Sequence, residues 1–486
     1  MLVREEAATA VAYRWRWLAL VALLIAEAMN LLDATIVTVA APVIHHDFGG
    51  AGSDIQWFGA AYTLPFAVLL IPGGRLGDLA GRRRMFAVGV AAFALASVAC
   101  ACATGPGMLI GTRAIQGAAA ALIIPQTIGL IRSMFEGAEL AKAMGSIGPV
   151  MGLAAICGPV LGAVLTHADL FGASWRAAFL VNVPLAAAVL AVVPALRESR
   201  SSRPVRLDLS GTALAMLGTG LVVHPLIQGN TAGWPAWSWA ALGAGVVVLV
   251  AFGRQQRRRA RQGRSALVEP SLFRGRAFPA ALATSTLFFA AMNGLTVVIV
   301  LQVQLGLGAD VLAAGLTLLP WSAAMAVGSW VCGTRLFPRY GARVMFAGLA
   351  TLLAGVICAI AAYHAARTGS HGWALPAALP AALPAALALG GLGNGLFTVP
   401  FFTTALSRVR PHETGSAAGL LNAVQQFGGT LGTAVLGTAF LHFFGRAGVA
   451  PGAGALDGAQ VAFWTAAGLI VATAVTAVLM NARDSH

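Results

Sequence analysis

The sequence predicts an all-α integral membrane protein of fourteen transmembrane helices with both termini in the cytoplasm. Three observations carry the prediction. Only 10% of the 486 residues are charged, against 58% hydrophobic. The apolar residues gather into segments of about 20, the length that crosses a bilayer core as a helix. The basic residues fall between those segments in an alternating pattern. Soluble domains carry about a quarter charged residues. A chain this poor in charge cannot cover a water-facing surface, whereas lipid accepts an apolar exterior.

The first span, Trp17–Ala41, is longer than the apolar core of a signal peptide and holds two carboxylates, Glu27 and Asp33, so it is read as a retained helix. Ile55–Leu76 and Met85–Thr104 follow, joined by a glycine- and arginine-rich loop. Met108–Ile131, Ala143–His167 and Trp175–Ala195 are the next three apolar segments. Leu207–Gly229 begins beside Asp208, a capping residue type. Trp234–Phe252 opens with Trp234, Trp237 and Trp239, placed as interfacial anchors. After a long arginine-rich stretch come Ala277–Leu301, Val311–Phe337, Val344–Tyr363, Pro384–Leu406, Gly415–Phe443 and Ala459–Asn481. The twelfth span is expected to start at Pro384. Pro376, Pro380 and Pro384 stand four apart, and each deletes a helix hydrogen bond on one face. A proline in the first turn is tolerated.

Orientation follows from the basic residues. With the N-terminus inside, every Lys and Arg lies on the inner side except Arg176, Arg367 and Arg446, which fall outside, and Arg113, which lies within the fourth span. The inner set includes Arg4, Arg203, Arg206, Arg408 and Arg483, and its largest group runs from Arg254 to Arg276. This is the positive-inside pattern. A missed span would invert every later loop and mix the two sets.

The net charge of +14 therefore reads as a topology signal and not as a nucleic-acid footprint. The single lysine, Lys142, has no GxxxxGK[ST] around it, so no ATP-binding loop is present. Cys100, Cys102, Cys157, Cys332 and Cys358 lie in apolar segments and read as packing residues. No HExxH or GxSxG occurs, which argues against a membrane enzyme. His45 and His46 beside Asp47 are too few for a metal site. No metal and no cofactor are expected.

The loop between the second and third spans reads Gly74-Arg75-Leu76-Gly77-Asp78-Leu79-Ala80-Gly81-Arg82-Arg83-Arg84. Its glycines permit close backbone approach, and Asp78 can accept hydrogen bonds from arginines. Gly74, Asp78, Gly81 and Arg82 are the expected conformational gate. A degraded copy, Gly333 to Arg343, follows the tenth span without the acidic residue.

The loop resembles the motif between helices two and three of the major facilitator superfamily. Leu32 to Pro42 resembles the helix-one motif of its fourteen-helix drug:proton antiporters, and Gly415 to Asn422 in the thirteenth span extends the likeness. Arg113-Ala-Ile-Gln116-Gly117 resembles the arginine motif linked there to proton transfer. Cys157-Gly158-Pro159-Val160-Leu161-Gly162-Ala163 resembles the antiporter motif, with Ala163 where a glycine is usual. Gly158, Pro159 and Gly162 are its packing residues, and Gly145, Gly148 and Gly152 before them form a small-residue face. The resemblance implies the major facilitator fold: a six-helix bundle in residues 1–200, two inserted helices and a basic loop in 201–270, and a second bundle in 271–486.

Ionisable groups inside membrane spans are costly and mark functional sites. Asp33 lies roughly 12 Å from the outer end of the first span and Arg113 roughly 8 Å from that of the fourth, so the two can meet. Asp33 is the expected proton carrier, with Arg113 setting how readily it ionises; a permanent structural ion pair is the alternative. Glu27, roughly 9 Å nearer the cytoplasm, is expected on a different helix face. It is a second protonation site, or an attractant for cationic substrates, or a neutral carboxyl facing packed helices. His224 is expected to bond a neighbouring backbone. Asn30, Gln116, Gln126, Asn293, Trp321, Asn394 and Gln425 are the expected lining of a substrate cavity.

The resulting expectation is a proton-driven secondary transporter of the cell membrane that exports small amphipathic or cationic molecules, drugs among them. A narrow metabolite exporter or a proton-coupled importer on the same fold is the alternative. The expected partners are a small-molecule substrate, protons and the lipid bilayer. No long coiled coil or periplasmic domain is present to reach a periplasmic adaptor.

Overall fold

A computed structural model describes residues 14–169, 172–200, 207–229, 232–264, 266–368, 375–407, 409–410, 414–445 and 451–481. Arg4, Arg203, Arg206, Arg408, Arg446 and Arg483, which entered the orientation argument, lie outside them. Among the described residues, fourteen helices are long and apolar enough to cross a membrane. They are α1 Arg16–Phe48, α2 Asp54–Ala80, α3 Arg82–Ala101, α4 Pro106–Met134, α5 Lys142–His167, α6 Ser174–Ala195, α7 Leu209–Gln228, α8 Ala236–Arg261, α9 Ala277–Gly306, α10 Val311–Tyr340, α11 Arg343–Ala365, α12 Ala382–Ser407, α13 Ser416–Phe444 and α14 Gly452–Asn481.

Four boundaries depart widely from the sequence reading: α1 runs on to Phe48 instead of ending at Ala41, α8 runs on to Arg261 instead of ending at Phe252, and two helices start early. The helix that contains α12 begins at Leu375, so Pro384 is not its start. A missing N–H costs little in the first turn, and prolines four apart confine the remaining loss to one face. The helix that contains α14 begins at Pro451, eight residues before Ala459. Pro451 is itself a helix-starting residue type.

Caps and glycines set the other ends. Asp310 caps α10 by accepting from the Ala313 N–H at 2.8 Å. Gly81 separates α2 from α3 at φ +104°, and Gly341 separates α10 from α11 at φ +57°. Both lie in the region that favours glycine. From Gly74 to Gly81 is one residue shorter than from Gly333 to Gly341, and a π-helical turn at Cys332–Leu336 accompanies the longer copy.

Helices α1–α6 pack chiefly among themselves, as do α9–α14. The groups are joined along α2–α13 and α5–α10. At the end bearing Gly49, Asp47 and Asp310, Val37 to Ile44 of α1 share one buried core with Leu295 to Val303 of α9 and Val311 and Ala314 of α10. At the arginine-rich end, Ile71 of α2 reaches Ala417 and Leu420 of α13. Gly145 and Gly152 of α5, expected in tight packing, look onto open space. The packed glycines are Gly158 and Gly162, because α1 crosses α5 there.

Helix α7 covers the α2–α13 seam through Val223 and Ile227. His224 does not serve the backbone as expected. Its ring lies between Trp57 of α2 and Trp237 of α8, with centroids 5.7 and 5.6 Å away.

Candidate functional site

Asp33 of α1 and Arg113 of α4 are both buried, at 0% and 1% exposure. Arg113 Nη1 donates to Asp33 Oδ2 at 2.5 Å. Gln116 Nε2 and Asn182 Nδ2 both donate to Asp33 Oδ1 at 2.8 Å. Ser97 Oγ accepts from the same two amides, at 2.8 and 3.3 Å. Arg113 is held further by the Phe58 carbonyl at 3.1 Å and by Gln116 Oε1 at 2.6 Å. Its guanidinium lies 4.4 Å from the centre of the Tyr62 ring, a geometry that adds cation–π attraction.

Five helices thus contribute to one network around the Asp33–Arg113 pair: α1, α2, α3, α4 and α6. Helix geometry explains the gathering on α4. Arg113 and Gln116 are three residues apart and share a face, and Gly117 beside them lets α4 close on the Tyr62 backbone of α2. A buried ion pair is tolerable only when further hydrogen bonds satisfy its remaining donors and acceptors. Here both Asp33 oxygens have partners.

Glu27 is buried at 6% exposure, with Thr127 of α4 as its side-chain neighbour. This corrects the expectation of separate helix faces, since both acids of α1 turn toward α4. Spacing along one helix fixes depth, while the crossing of a second helix and the reach of the side chains decide what meets. Asn30 lies between the two levels. Its Nδ2 donates to the Ala26 carbonyl at 2.8 Å, and its Oδ1 accepts from Tyr62 Oη at 3.4 Å.

The expected cavity residues divide. Gln116 belongs to the carboxylate cluster and is fully buried, so it lines no open space in this conformation. Gln126 is also fully buried and donates to the Gly73 carbonyl at 2.8 Å. It lies flat over Gly77, where any side chain would collide with it. Asn293 is exposed on α9 facing Gly429 of α13, and Gln425 of α13 is half-buried. Trp321 of α10 rests on Gly390 of α12. Asn394 of α12 is mostly buried and accepts from Thr398 Oγ1 at 3.1 Å.

The gate motif forms a compact lock. Arg82 donates to Asp78 Oδ1 through Nη2 at 2.6 Å and Nε at 3.1 Å. The Arg82 guanidinium lies over Gly129 of α4, and Gly74 sits against Pro125. A Cβ on Gly81 would come 2.8 Å from the Glu198 carboxylate, which follows α6. Glu198 Oε1 accepts the Arg83 backbone N–H at 3.1 Å, and the Arg82 N–H reaches the Ser199 carbonyl at 2.9 Å. Asn182, Ser97 and Glu198 were missed in the sequence. Asn182 had a signal, as a lone amide in an otherwise apolar span.

At the opposite end, Gly158 packs on Thr35 and Gly162 on Ile36 of α1. The Pro159 carbonyl and the Ala163 methyl face Gly315 of α10, and His167 Nδ1 lies 3.3 Å from Asp310 Oδ2. The glycine absent at 163 is supplied across the seam by Gly315. Gly315→Ala is expected to cost about 1–3 kcal/mol of seam closure by overpacking. Cross-linking between cysteines placed at 167 and 310 should then fall several-fold, with partial recovery on adding Ala163→Gly. Unchanged cross-linking would show that the seam does not depend on this contact.

Comparison with known proteins accords with this architecture. The family model described as Major Facilitator Superfamily matches residues 23–210 and 206–433. The chain is 42% identical to a "Probable actinorhodin transporter" of Streptomyces coelicolor, over 89% of this chain and 74% of that one. It is 36% identical to "Puromycin resistance protein pur8" of Streptomyces alboniger, over 96% and 92%. A solved bacterial homologue of the lysosomal transporter Spinster shares the fold at a TM-score of 0.64 and 18% identity, over 96% and 97% of the two chains.

Proposed function

The chain belongs to the Major Facilitator Superfamily, and on that premise we propose that it exports small amphipathic or cationic molecules, antibiotics among them, across the plasma membrane in exchange for protons. The observation that carries the proposal is the buried Asp33–Arg113 pair. A transport cycle driven by protons needs a carboxyl whose partner can leave. In the conformation seen, Arg113, Gln116 and Asn182 hold Asp33 as an acceptor on both oxygens. Movement of α1 against α4 would withdraw those donors, favour the protonated acid in a dry interior, and prepare the carrier for the opposite side.

The cycle is alternating access. The α5–α10 seam and the shared α1–α9 core close the end bearing Asp47 and Asp310. The Asp78–Arg82 lock holds the arginine-rich, cytoplasmic end of the first bundle. Relatives named as a probable actinorhodin transporter and as a puromycin resistance protein support outward movement of such compounds. The relative named for actinorhodin alone also favours a second reading, an exporter specific for one metabolite.

Inverted membrane vesicles with an acidified lumen test both. Cationic dyes are expected to accumulate inside and to leave when the pH gradient collapses. Absence of movement for every dye would refute the broad reading, and gradient-driven uptake of a single antibiotic would then support the narrow one. In the same assay, Glu27→Gln is expected to lower cationic-dye accumulation roughly fivefold, the loss of about 1 kcal/mol of charge attraction, while neutral substrates are unaffected. Equal losses for both would remove Glu27 as the attractant.

A further inference from the structure

A cavity of about 780 Å³ lies outside the transport site, at the arginine-rich end. The end of α8, the stretch that follows it and Arg75 of α2 enclose it. Arg257, Arg261, Arg264 and Arg274 line it and are exposed, against one lining carboxylate, Glu269. We propose that this cavity binds the phosphate headgroup of an anionic diacyl phospholipid, with the acyl chains lying along α8.

The walls are built and fixed. Asp208 is fully buried at the start of α7 and accepts from the Gly211 N–H at 2.9 Å and from Gln256 Nε2 at 2.8 Å. Gln256 Oε1 in turn accepts the Val268 N–H at 3.1 Å, which pins the stretch after α8. Arg75 donates to the Ala266 carbonyl from the α2 side. Arg259 pairs with Asp208 at 3.3 Å, so the buried carboxylate is matched by an arginine outside the cavity lining. Burial alone would raise the Asp208 carboxyl, but the bonds from Gln256 and Gly211 and the charge of Arg259 hold it below the usual carboxylate range.

Depth and direction favour a lipid. Helix α8 has 26 residues, roughly 39 Å at 1.5 Å each, against a core of about 30 Å. Its terminal arginines therefore reach the headgroup layer. Val246, Val250, Gly253 and Arg257 recur at helical spacing on one stripe. Val246 and Val250 are 58% and 43% exposed in an apolar span, and so face lipid. That stripe leads from the acyl region directly to Arg257. Basic pockets at this level recognise anionic headgroups. Complementing the helix C-terminus would need arginines only in the last turn, whereas these converge on a cavity from α8, the stretch after it and α2.

Native mass spectrometry of the purified chain, titrated separately with phosphatidylglycerol, phosphatidylcholine and inorganic phosphate, tests the site. Retained phosphatidylglycerol adducts are expected. In the triple variant Arg257→Gln, Arg261→Gln, Arg264→Gln their affinity should fall on the order of 100-fold. The same three positions changed to Lys keep the charge needed for insertion, and should retain most binding. Melting temperature controls for folding. Equal adducts with the two lipids, or no loss in the Gln variant, would overturn the site. Displacement of the lipid by equimolar inorganic phosphate would overturn the lipid as its occupant.

Discussion

Asp33→Asn is expected to abolish gradient-driven transport while the protein still folds and reaches the membrane. The substitution keeps the shape of the side chain and removes the proton-binding group. One-for-one exchange across two pH units sustains at most about 100-fold accumulation, since each unit is worth about 1.4 kcal/mol. The variant should accumulate substrate to no more than the outside concentration. Its amide places a donor among Arg113, Gln116 and Asn182, all of which donate to Asp33. That mismatch costs about 1–3 kcal/mol, which a melting curve in detergent would register. Normal coupling in Asp33→Asn would leave the pair as a structural brace.

Arg113→Leu is expected to have the larger effect on stability. Removing one partner of a buried pair leaves a charge without compensation, at a cost of about 3–5 kcal/mol. Folded yield and melting temperature should both drop. The double variant Asp33→Asn, Arg113→Leu removes the stranded charge and should recover most of the stability, yet transport should stay absent. This separates holding the fold from carrying the proton. Equal melting of Arg113→Leu and the parent would contradict the network around Asp33.

The parts legible in the sequence were those that depend on length and on one coordinate. Fourteen spans followed from apolar runs, and the meeting of Asp33 with Arg113 followed from depth, because a helix rises by a fixed amount per residue. Azimuth and neighbours were not legible. Glu27 turned toward α4 because Thr127 meets it there. Gln116 and Gln126 were expected beside substrate, and both are taken up by close helix contacts instead. Asn182, the one amide in an apolar helix, became a donor to Asp33 only once α6 was seen against α1 and α3.

The Ala163 departure is of the same kind. Read along the chain it weakens a motif, whereas across the seam it meets Gly315, and the close approach is kept. Pro384 misled for a local reason, since proline limits only its own hydrogen bond and a helix can run through several on one side.

The most direct test is to count protons when substrate binds. Purified protein in weakly buffered detergent, titrated with a transported cation, is expected to release protons in the wild type and none in Asp33→Asn, with the dye still bound. Equal release from both proteins would contradict the account and place the coupled proton elsewhere.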